Sequence, residues 1–127
     1  GGEDALQGVS VERIGQDRLT PVTAIGRTGQ VRLRGGRLEG PVMVYTPGTS
    51  YGAQIAAMLA AHGVVIAEQP ICESASAEAL LAQAVAGLGA AWIPQMLAKD
   101  AAVERCSLPE TFDIAYKIAL VRPPLEH

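Results

Sequence analysis

The period of the hydrophobic pattern changes several times along the chain. An apolar run over residues 42–45, bounded by prolines, predicts a short buried strand. Apolar positions then recur at helical spacing over residues 51–62, with Thr49 or Ser50 in the N-cap position and Gly63 after the last turn. This segment is therefore predicted to be a helix that packs one face on the strand before it.

A second strand and helix repeat this arrangement. Two apolar runs within residues 64–72 predict a strand, and a helix is expected to begin near Ser74 or Ser76 and to end at the next glycines. Residues 90–93 are predicted to form a third strand and residues 95–99 a short helix. Alternating strands and helices with tight glycine turns predict an α/β fold: a Rossmann-like βαβ unit with a mostly parallel central sheet and flanking helices.

The two ends of the chain carry a different, period-two pattern. Residues 9–14 and 18–25 predict two strands, and Pro21 is expected to confine the second one to a sheet edge or to a strand start. Residues 112–121 predict a long final strand with one buried face. Between these ends, residues 26–41 are rich in glycine and arginine and are predicted to form a loop with a short extended piece.

Composition narrows the classes of function. The chain has 127 residues, of which 49% are hydrophobic and 4% aromatic, so it is one globular domain with a core of small aliphatic side chains. Its net charge is −3, and its arginines are not interleaved with aromatic residues, which argues against nucleic-acid binding by this chain. No stretch approaches the roughly 18 apolar residues of a membrane span, and no signal peptide opens the chain, which favours a cytoplasmic protein without membrane contact.

Motifs that would carry catalysis are incomplete. The glycine-bounded turn over residues 48–52 lacks the lysine of a nucleotide-binding P-loop, and the glycines at the end of the second helix lack the spacing of a dinucleotide fingerprint. Ser74 and Ser76 do not lie in a nucleophile elbow, and His62 has no second credible base with which to act. We therefore expect no catalytic residues and no cofactor.

The two cysteines do not form a recognisable site. Cys72 and Cys106 lack the four-ligand spacing of a zinc site, so no metal is expected. Neither lies in a motif that lowers a thiol pKa, and both are expected to be free and reduced. A redox switch between them is the alternative.

A binding geometry remains once these motifs are set aside. In open α/β sheets, ligands lie beyond the carboxyl ends of the strands, where helix N-termini present free backbone N–H groups. Both predicted helices begin there with more hydroxyl side chains than capping requires. The expected ligand is an anionic small molecule. The candidate ligand-binding residues are the hydroxyl residues at the two helix starts, namely Thr46, Thr49, Ser50, Ser74 and Ser76.

One segment resembles the LysR-type transcriptional regulators. Residues 72–94 carry a polar strand end, a helix that closes on the phrase Val85-Ala86-Gly87-Leu88-Gly89, and an apolar strand stopped by Pro94. Strands at residues 17–22, at Val44-Tyr45 and at 119–123 match that family in the same order. The resemblance covers roughly residues 3–123, and the phrase from Gly87 to Pro94 is its most specific part.

The resemblance implies a type 2 periplasmic-binding-protein fold, in which an effector lies between two α/β subdomains. It also implies a DNA-binding helix-turn-helix that this chain lacks, so that DNA would be bound only through that absent part. Residues 1–124 are then a partial effector-binding domain, with crossing strands at about 8–25 and 112–122 and the second subdomain at about 26–111. Residues 125–127 resemble the start of an expression tag.

The same resemblance predicts self-association. Family effector domains pair side by side, and a partial domain leaves apolar surface and strand edges uncovered. We expect a dimer or larger assembly through the outer strands or the helix at residues 51–62, with an interface above about 1,000 Å². The alternative from another class is a lobe of a solute-binding protein or a periplasmic-binding-protein-like enzyme such as a prephenate dehydratase.

Overall fold

The computed structural model describes the backbone of residues 10–122 and the side-chain environments of residues 15–117. The apparent tag at 125–127 and the first residue of the strand expected at 9–14 lie outside the described residues. Within this range the elements follow one another in this order: β1 Ser10–Ala24, β2 Arg32–Arg34, β3 Arg37–Glu39, β4 Val44–Tyr45, α1 Ser50–Ala61, β5 Val65–Ile66, β6 Glu73–Ser74, α2 Ala77–Val85, β7 Ala91–Pro94, α3 Gln95–Ala98, β8 Val103–Arg105, a 3-10 turn Glu110–Phe112, and β9 Ile114–Arg122.

Strand β1 is the central strand of the largest sheet and pairs with three other strands. It pairs antiparallel with β9 from Ser10 opposite Arg122 to Leu19 opposite Ile114, and then continues with β8 on the same side and β7 on the other. The two strands expected at 9–14 and 18–25 are therefore one strand within the described residues. Strands β1 and β9 fall within the ranges 8–25 and 112–122, and their role as strands that cross to another subdomain stays a prediction.

Pro21 lies inside this strand, so the prediction that it marks an edge or a strand start is wrong. Its carbonyl accepts from the Cys106 N–H at 2.9 Å, and its nitrogen faces the same side of the strand. On that side the pairing with β9 ends at Leu19 and the pairing with β8 begins at Val22. A missing N–H therefore falls in the gap between two partner strands, where no ladder hydrogen bond is lost.

The expectation of a mostly parallel sheet is also wrong, because the sheets are mixed. Parallel pairing joins β3 to β5 and β4 to β6, with one further bridge between Val42 and Ala90. Each of these pairings is only one or two residues long, because the βαβ segments turn into loops soon after each strand. The longer pairings are antiparallel, since β1 runs against β7, β8 and β9.

The glycine- and arginine-rich segment 26–41 was expected to be a loop with an extended piece at 30–34. The extended piece is confirmed as β2, but the segment also contains β3, and the two strands form a hairpin. Arg32 pairs with Glu39 and Arg34 with Arg37. The turn between the strands consists of Gly35 at φ 56° and Gly36 at φ 77°. A two-residue turn with positive φ at both positions matches the right-handed twist of a hairpin, and glycine adopts that conformation without steric cost.

Both predicted long helices are confirmed, with their caps. Helix α1 is capped by Thr49, whose Oγ1 accepts from the Gly52 N–H at 3.1 Å, and Gly63 follows its last turn at φ 64°. Helix α2 is capped by Ser76, whose Oγ accepts from the Ala79 N–H at 3.1 Å. The third strand and the short α3 also lie where the pattern placed them.

The core joins the strands to the loop before β9 through a few large side chains. Trp92 is 2% exposed, and its Nε1 donates to the Phe112 carbonyl at 2.8 Å. The Tyr45 hydroxyl donates to the Trp92 carbonyl at 2.7 Å. Aliphatic residues fill much of the rest, as the composition predicts, and they come from β1, β3, α1, α2, β7 and the loops between these elements.

Candidate functional site at the carboxyl edge of the parallel strands

The ends of β4 and β6 lie side by side. Tyr45 is in register with Ser74, and the Thr46 N–H donates to the Ser74 carbonyl at 3.0 Å. Because these two strands are parallel, α1 and α2 both begin at the same edge of the sheet. The expectation that the two helix starts share one edge is confirmed, whereas ligand binding by their hydroxyls stays a prediction.

Four of the five candidate hydroxyl side chains form local hydrogen bonds at this edge, and Thr46 takes part through its main chain. Thr49 Oγ1 caps α1 and donates to the Thr46 carbonyl at 2.8 Å. Ser74 Oγ accepts from the Ser76 N–H at 3.0 Å, and Ser76 caps α2. Ser50 Oγ accepts from Gln54 Nε2 at 3.2 Å. Capping and turn formation thus account for most of these side chains.

An open depression of about 570 Å³ lies beside the start of α2, between the crossing strands and α3. Of the five candidates, Ser76 lines it, and the other four do not. The remaining wall comes from residues of β1, α1, α2 and the α3 region, which are Asp17, Tyr51, Ala75, Ala77, Glu78, Pro94, Met96 and Leu97. The structure therefore shifts the candidate site from both helix starts toward α2 and the crossing strands.

Asp17, which lines this depression, accepts several hydrogen bonds. Its side chain is held by the Tyr116 hydroxyl, which donates to Oδ2 at 3.2 Å, and by the Arg18 N–H at 2.8 Å. The Met96 N–H lies 3.4 Å from both carboxylate oxygens, so Asp17 also complements the first turn of α3. Asp17 is only 7% exposed, and a buried carboxylate is stable only with such donors around it.

Two tyrosines extend this chain toward α1. The Tyr51 and Tyr116 hydroxyls are 3.2 Å apart, and since Tyr116 donates to Asp17, Tyr51 is the donor between the two phenols. Burial raises the pKa of Tyr116, and so does the hydrogen bond that its hydroxyl donates to Asp17, so this phenol stays protonated and keeps donating. Helix α1 is thereby tied to both crossing strands.

The sequence analysis missed Asp17, Tyr51 and Tyr116 as site residues. Tyr51 and Tyr116 were counted only as apolar positions of a helix and a strand. Their hydroxyls were the available signal, because a buried tyrosine hydroxyl usually requires a hydrogen-bond partner. The partner itself could not be identified, since Asp17 and Tyr116 are 99 residues apart in the chain.

The depression is acidic. Asp17 and Glu78 both line it, and within the part of the chain that the structure describes no basic side chain does so. An anionic ligand would therefore depend on backbone N–H groups at the start of α2, with two carboxylates nearby. A positively charged or hydrogen-bond-donating group is better matched to this wall.

The cysteines are free thiols, as expected. Cys106 is 1% exposed, and burial raises the pKa of its thiol to about 11. Cys72 is partly exposed. Among residues 10–122, no helix is both long and apolar enough to cross a membrane.

The described residues thus form an α/β domain with an open depression at the carboxyl edge of two parallel strands. The family model of the LysR substrate binding domain matches residues 1–127. The chain belongs to that family, the effector-binding regulatory domain of LysR-type transcriptional regulators. The family match favours a regulator over the solute-binding or dehydratase alternative.

Solved structures support the same fold. The regulatory domain of HypT from Salmonella typhimurium matches with a TM-score of 0.68 at 21% identity, over 98% of this chain and 61% of that one. DarR from Vibrio fischeri, in complex with DNA, matches with a TM-score of 0.69 at 17% identity, over 94% of this chain and 40% of that one. LysG from Corynebacterium glutamicum, with bound effector Arg, matches with a TM-score of 0.58 at 20% identity, over 95% and 42%.

The chain thus spans 44% of full-length HypT and 61% of the HypT regulatory domain. A search of curated proteins found no match.

Proposed function

We propose that this chain is the ligand-sensing half of a transcriptional regulator and that its effector binds in the depression beside the start of α2. The observation that carries this proposal is the position of the depression, which lies at the carboxyl edge where two parallel strands end and two helices begin. Its wall includes β1, and Tyr116 of β9 is hydrogen-bonded to that wall. A ligand there would contact the strands that lead to the other subdomain.

We further propose that the effector is zwitterionic, with an ammonium group as well as an anionic group. Backbone N–H groups at the start of α2 suit the anionic group that the sequence predicted. Asp17, which lies on β1 and not on α2, suits an ammonium group. The expectation of a purely anionic ligand is thereby narrowed, because the acidic wall would repel a second negative charge.

We extend this proposal to the other subdomain, to DNA and to self-association of the chain. Ligand binding would favour one arrangement of the two subdomains by differential affinity, and DNA would be contacted only by a helix-turn-helix outside this chain. Self-association through α1 and the outer strand β5 is supported by the exposure of Val65, which is 57% accessible. We propose a cytoplasmic, non-enzymatic role for the domain.

A thermal-shift screen tests the effector site. The panel contains the common amino acids, and each amino acid that binds is compared with its decarboxylated amine and its N-acetylated derivative. A ligand at about 100 times its Kd stabilises a protein by about 2.7 kcal/mol, which for a chain of this size is an increase in Tm of about 10 °C. We expect the intact amino acid to bind more tightly than either derivative.

Two matched variants locate the binding. Ala75 is exposed and lines the depression, so Ala75→Phe should block it and abolish the Tm increase. Ala79 is exposed on α2 outside the depression, so Ala79→Phe should leave the increase intact. A panel in which no compound raises the Tm, or an increase that Ala75→Phe leaves unchanged, would contradict the proposed site.

A further inference from the structure

A second cavity, separate from the depression, lies between α1 and the sheet. Its volume is about 260 Å³. It reaches from Trp92 of β7 to Ile66 of β5, beneath the first three turns of α1, and Ala56 and Pro47 at its mouth are exposed. The other lining residues are Val42, Met43, Val44, Tyr45, Gly52, Ile55 and Leu59.

The wall of this cavity offers almost no polar group. Tyr45 and Trp92 are the lining residues whose side chains carry a nitrogen or an oxygen, and both of these atoms are already bonded. The Tyr45 hydroxyl donates to the Trp92 carbonyl, and Trp92 Nε1 donates to the Phe112 carbonyl. Burial raises the pKa of Tyr45, so its hydroxyl stays neutral. A charged ligand would lose its hydration here without gaining a partner.

The small residues of α1 give the cavity its shape. Gly52 and Ala56 lie one helical turn apart on the wall that α1 presents. A Cβ atom at position 52 would lie 2.7 Å from Thr49 Oγ1, so the N-cap of α1 requires glycine there. The helix therefore cannot fill this space with a side chain at position 52 without losing its cap.

The size and chemistry of the cavity define what it accepts. An apolar protein cavity of about 150 Å³ stays dry and binds benzene, because water there would lack hydrogen-bond partners. This cavity is larger and equally apolar, so one ring with a small substituent fits it. We propose that the cavity beneath α1 is a second ligand site, which binds a single uncharged ring-sized hydrocarbon molecule. It does not depend on the effector site proposed above.

The single tryptophan provides a direct assay. Trp92 is the one tryptophan of the chain and lines the cavity, so its emission reports on occupancy. Toluene is titrated into the 127-residue protein, and benzoate and benzylammonium serve as charged analogues of the same shape. We expect saturable binding of toluene with a Kd on the order of 1 mM or tighter, and no saturable change with either ion.

Two leucine substitutions on α1 test the location. Ala56→Leu places a side chain in the mouth of the cavity and should weaken toluene binding by about tenfold or more. Ala57→Leu adds the same side chain at an exposed neighbouring position outside the cavity and should leave binding unchanged. Methyl NMR of the unsubstituted protein gives a readout that does not depend on either variant, with toluene shifts expected at Val42, Val44, Leu59 and Ile66.

Any one of four results would overturn the proposal. The first is no saturable response to toluene, and the second is equal binding of benzoate or benzylammonium. The third is methyl shifts that spare the four lining residues. Loss of toluene binding in Ala57→Leu as well as in Ala56→Leu would also contradict it, because the effect would then not come from the cavity.

Discussion

Removing the guanidinium of Arg105 should destabilise the domain far more than removing a surface arginine. Arg105 Nε and Nη2 donate to Asp113 Oδ1 at 3.0 and 2.8 Å. The same side chain donates to the carbonyls of Cys106, Leu108 and Pro109. It thereby holds the loop that joins β8 to β9, and this loop supplies the Phe112 carbonyl to Trp92.

The size of the stability loss in Arg105→Ala follows from the burial of its partner, Asp113. The Asp113 side chain is 8% exposed and the Arg105 side chain 31% exposed. Removing one partner of a buried pair costs about 3–5 kcal/mol, and the partial exposure of Arg105 places Arg105→Ala near the lower end, at about 3 kcal/mol. Arg34 pairs with Glu39 at 3.5 Å with side-chain exposures of 69% and 33%, so Arg34→Ala should cost about 0–1 kcal/mol.

Urea unfolding followed by Trp92 fluorescence and by circular dichroism measures both variants. Arg105→Ala should lower the midpoint strongly with little change in slope, and the Tm should fall by about 10 °C. The double variant Arg105→Ala with Asp113→Asn should recover part of the loss, because the buried carboxylate is then no longer unpaired. Equal destabilisation by Arg105→Ala and Arg34→Ala would refute this reasoning.

Two further predictions concern a thiol and a glycine. Cys106 should react with a thiol reagent only on unfolding, whereas Cys72 should react in the native state. Burial raises the pKa of Cys106 from 9.0 to about 11 in the folded state, so the thiol of the unfolded chain ionises first as the pH rises. The free energy of unfolding should therefore fall between about pH 9 and about pH 11. The Cys106→Ala variant should lose that part of the pH dependence, and rapid native labelling of Cys106 would contradict its burial. Gly40 has φ 107°, and a Cβ there would overlap the Gln30 carbonyl, so Gly40→Ala should cost about 2 kcal/mol or more in a chemical-denaturation experiment. Gly29→Ala, where a Cβ meets nothing within 4 Å, is the matched control and should cost less than about 1 kcal/mol, so similar losses in both would count against the steric argument.

The sequence predicted the elements that local rules determine. Helices α1 and α2 were located because their period, their Thr49 and Ser76 caps and the closing glycines all lie within one segment. The turn at Gly35 and Gly36 was just as local, yet it was missed because the arginines around it obscured the alternation of a hairpin. Pairing partners cannot be read from local rules, so β1 was predicted as two strands, 9–14 and 18–25, and the sheet was expected to be mostly parallel.

The sequence predicted only the part of the candidate site that follows from the parallel direction of neighbouring strands. Because parallel strands place their carboxyl ends together, Ser74 and Ser76 were expected at the same edge as Thr49, and they lie there. Asp17 and Tyr116 could not be anticipated, because their contacts join residues 79 and 99 positions apart. Their side chains become a site only when the crossing strands pair.

The central claim is that the depression beside α2 is the effector site, and backbone NMR shifts on titration with the tightest amino acid of the panel test it most directly. The account predicts saturable shifts at residues 75–78 and at Met96 and Leu97, with Asp17→Asn weakening binding of the amino acid more than binding of its N-acetylated derivative. Shifts that spare these residues, or equal weakening of both compounds by Asp17→Asn, would contradict it.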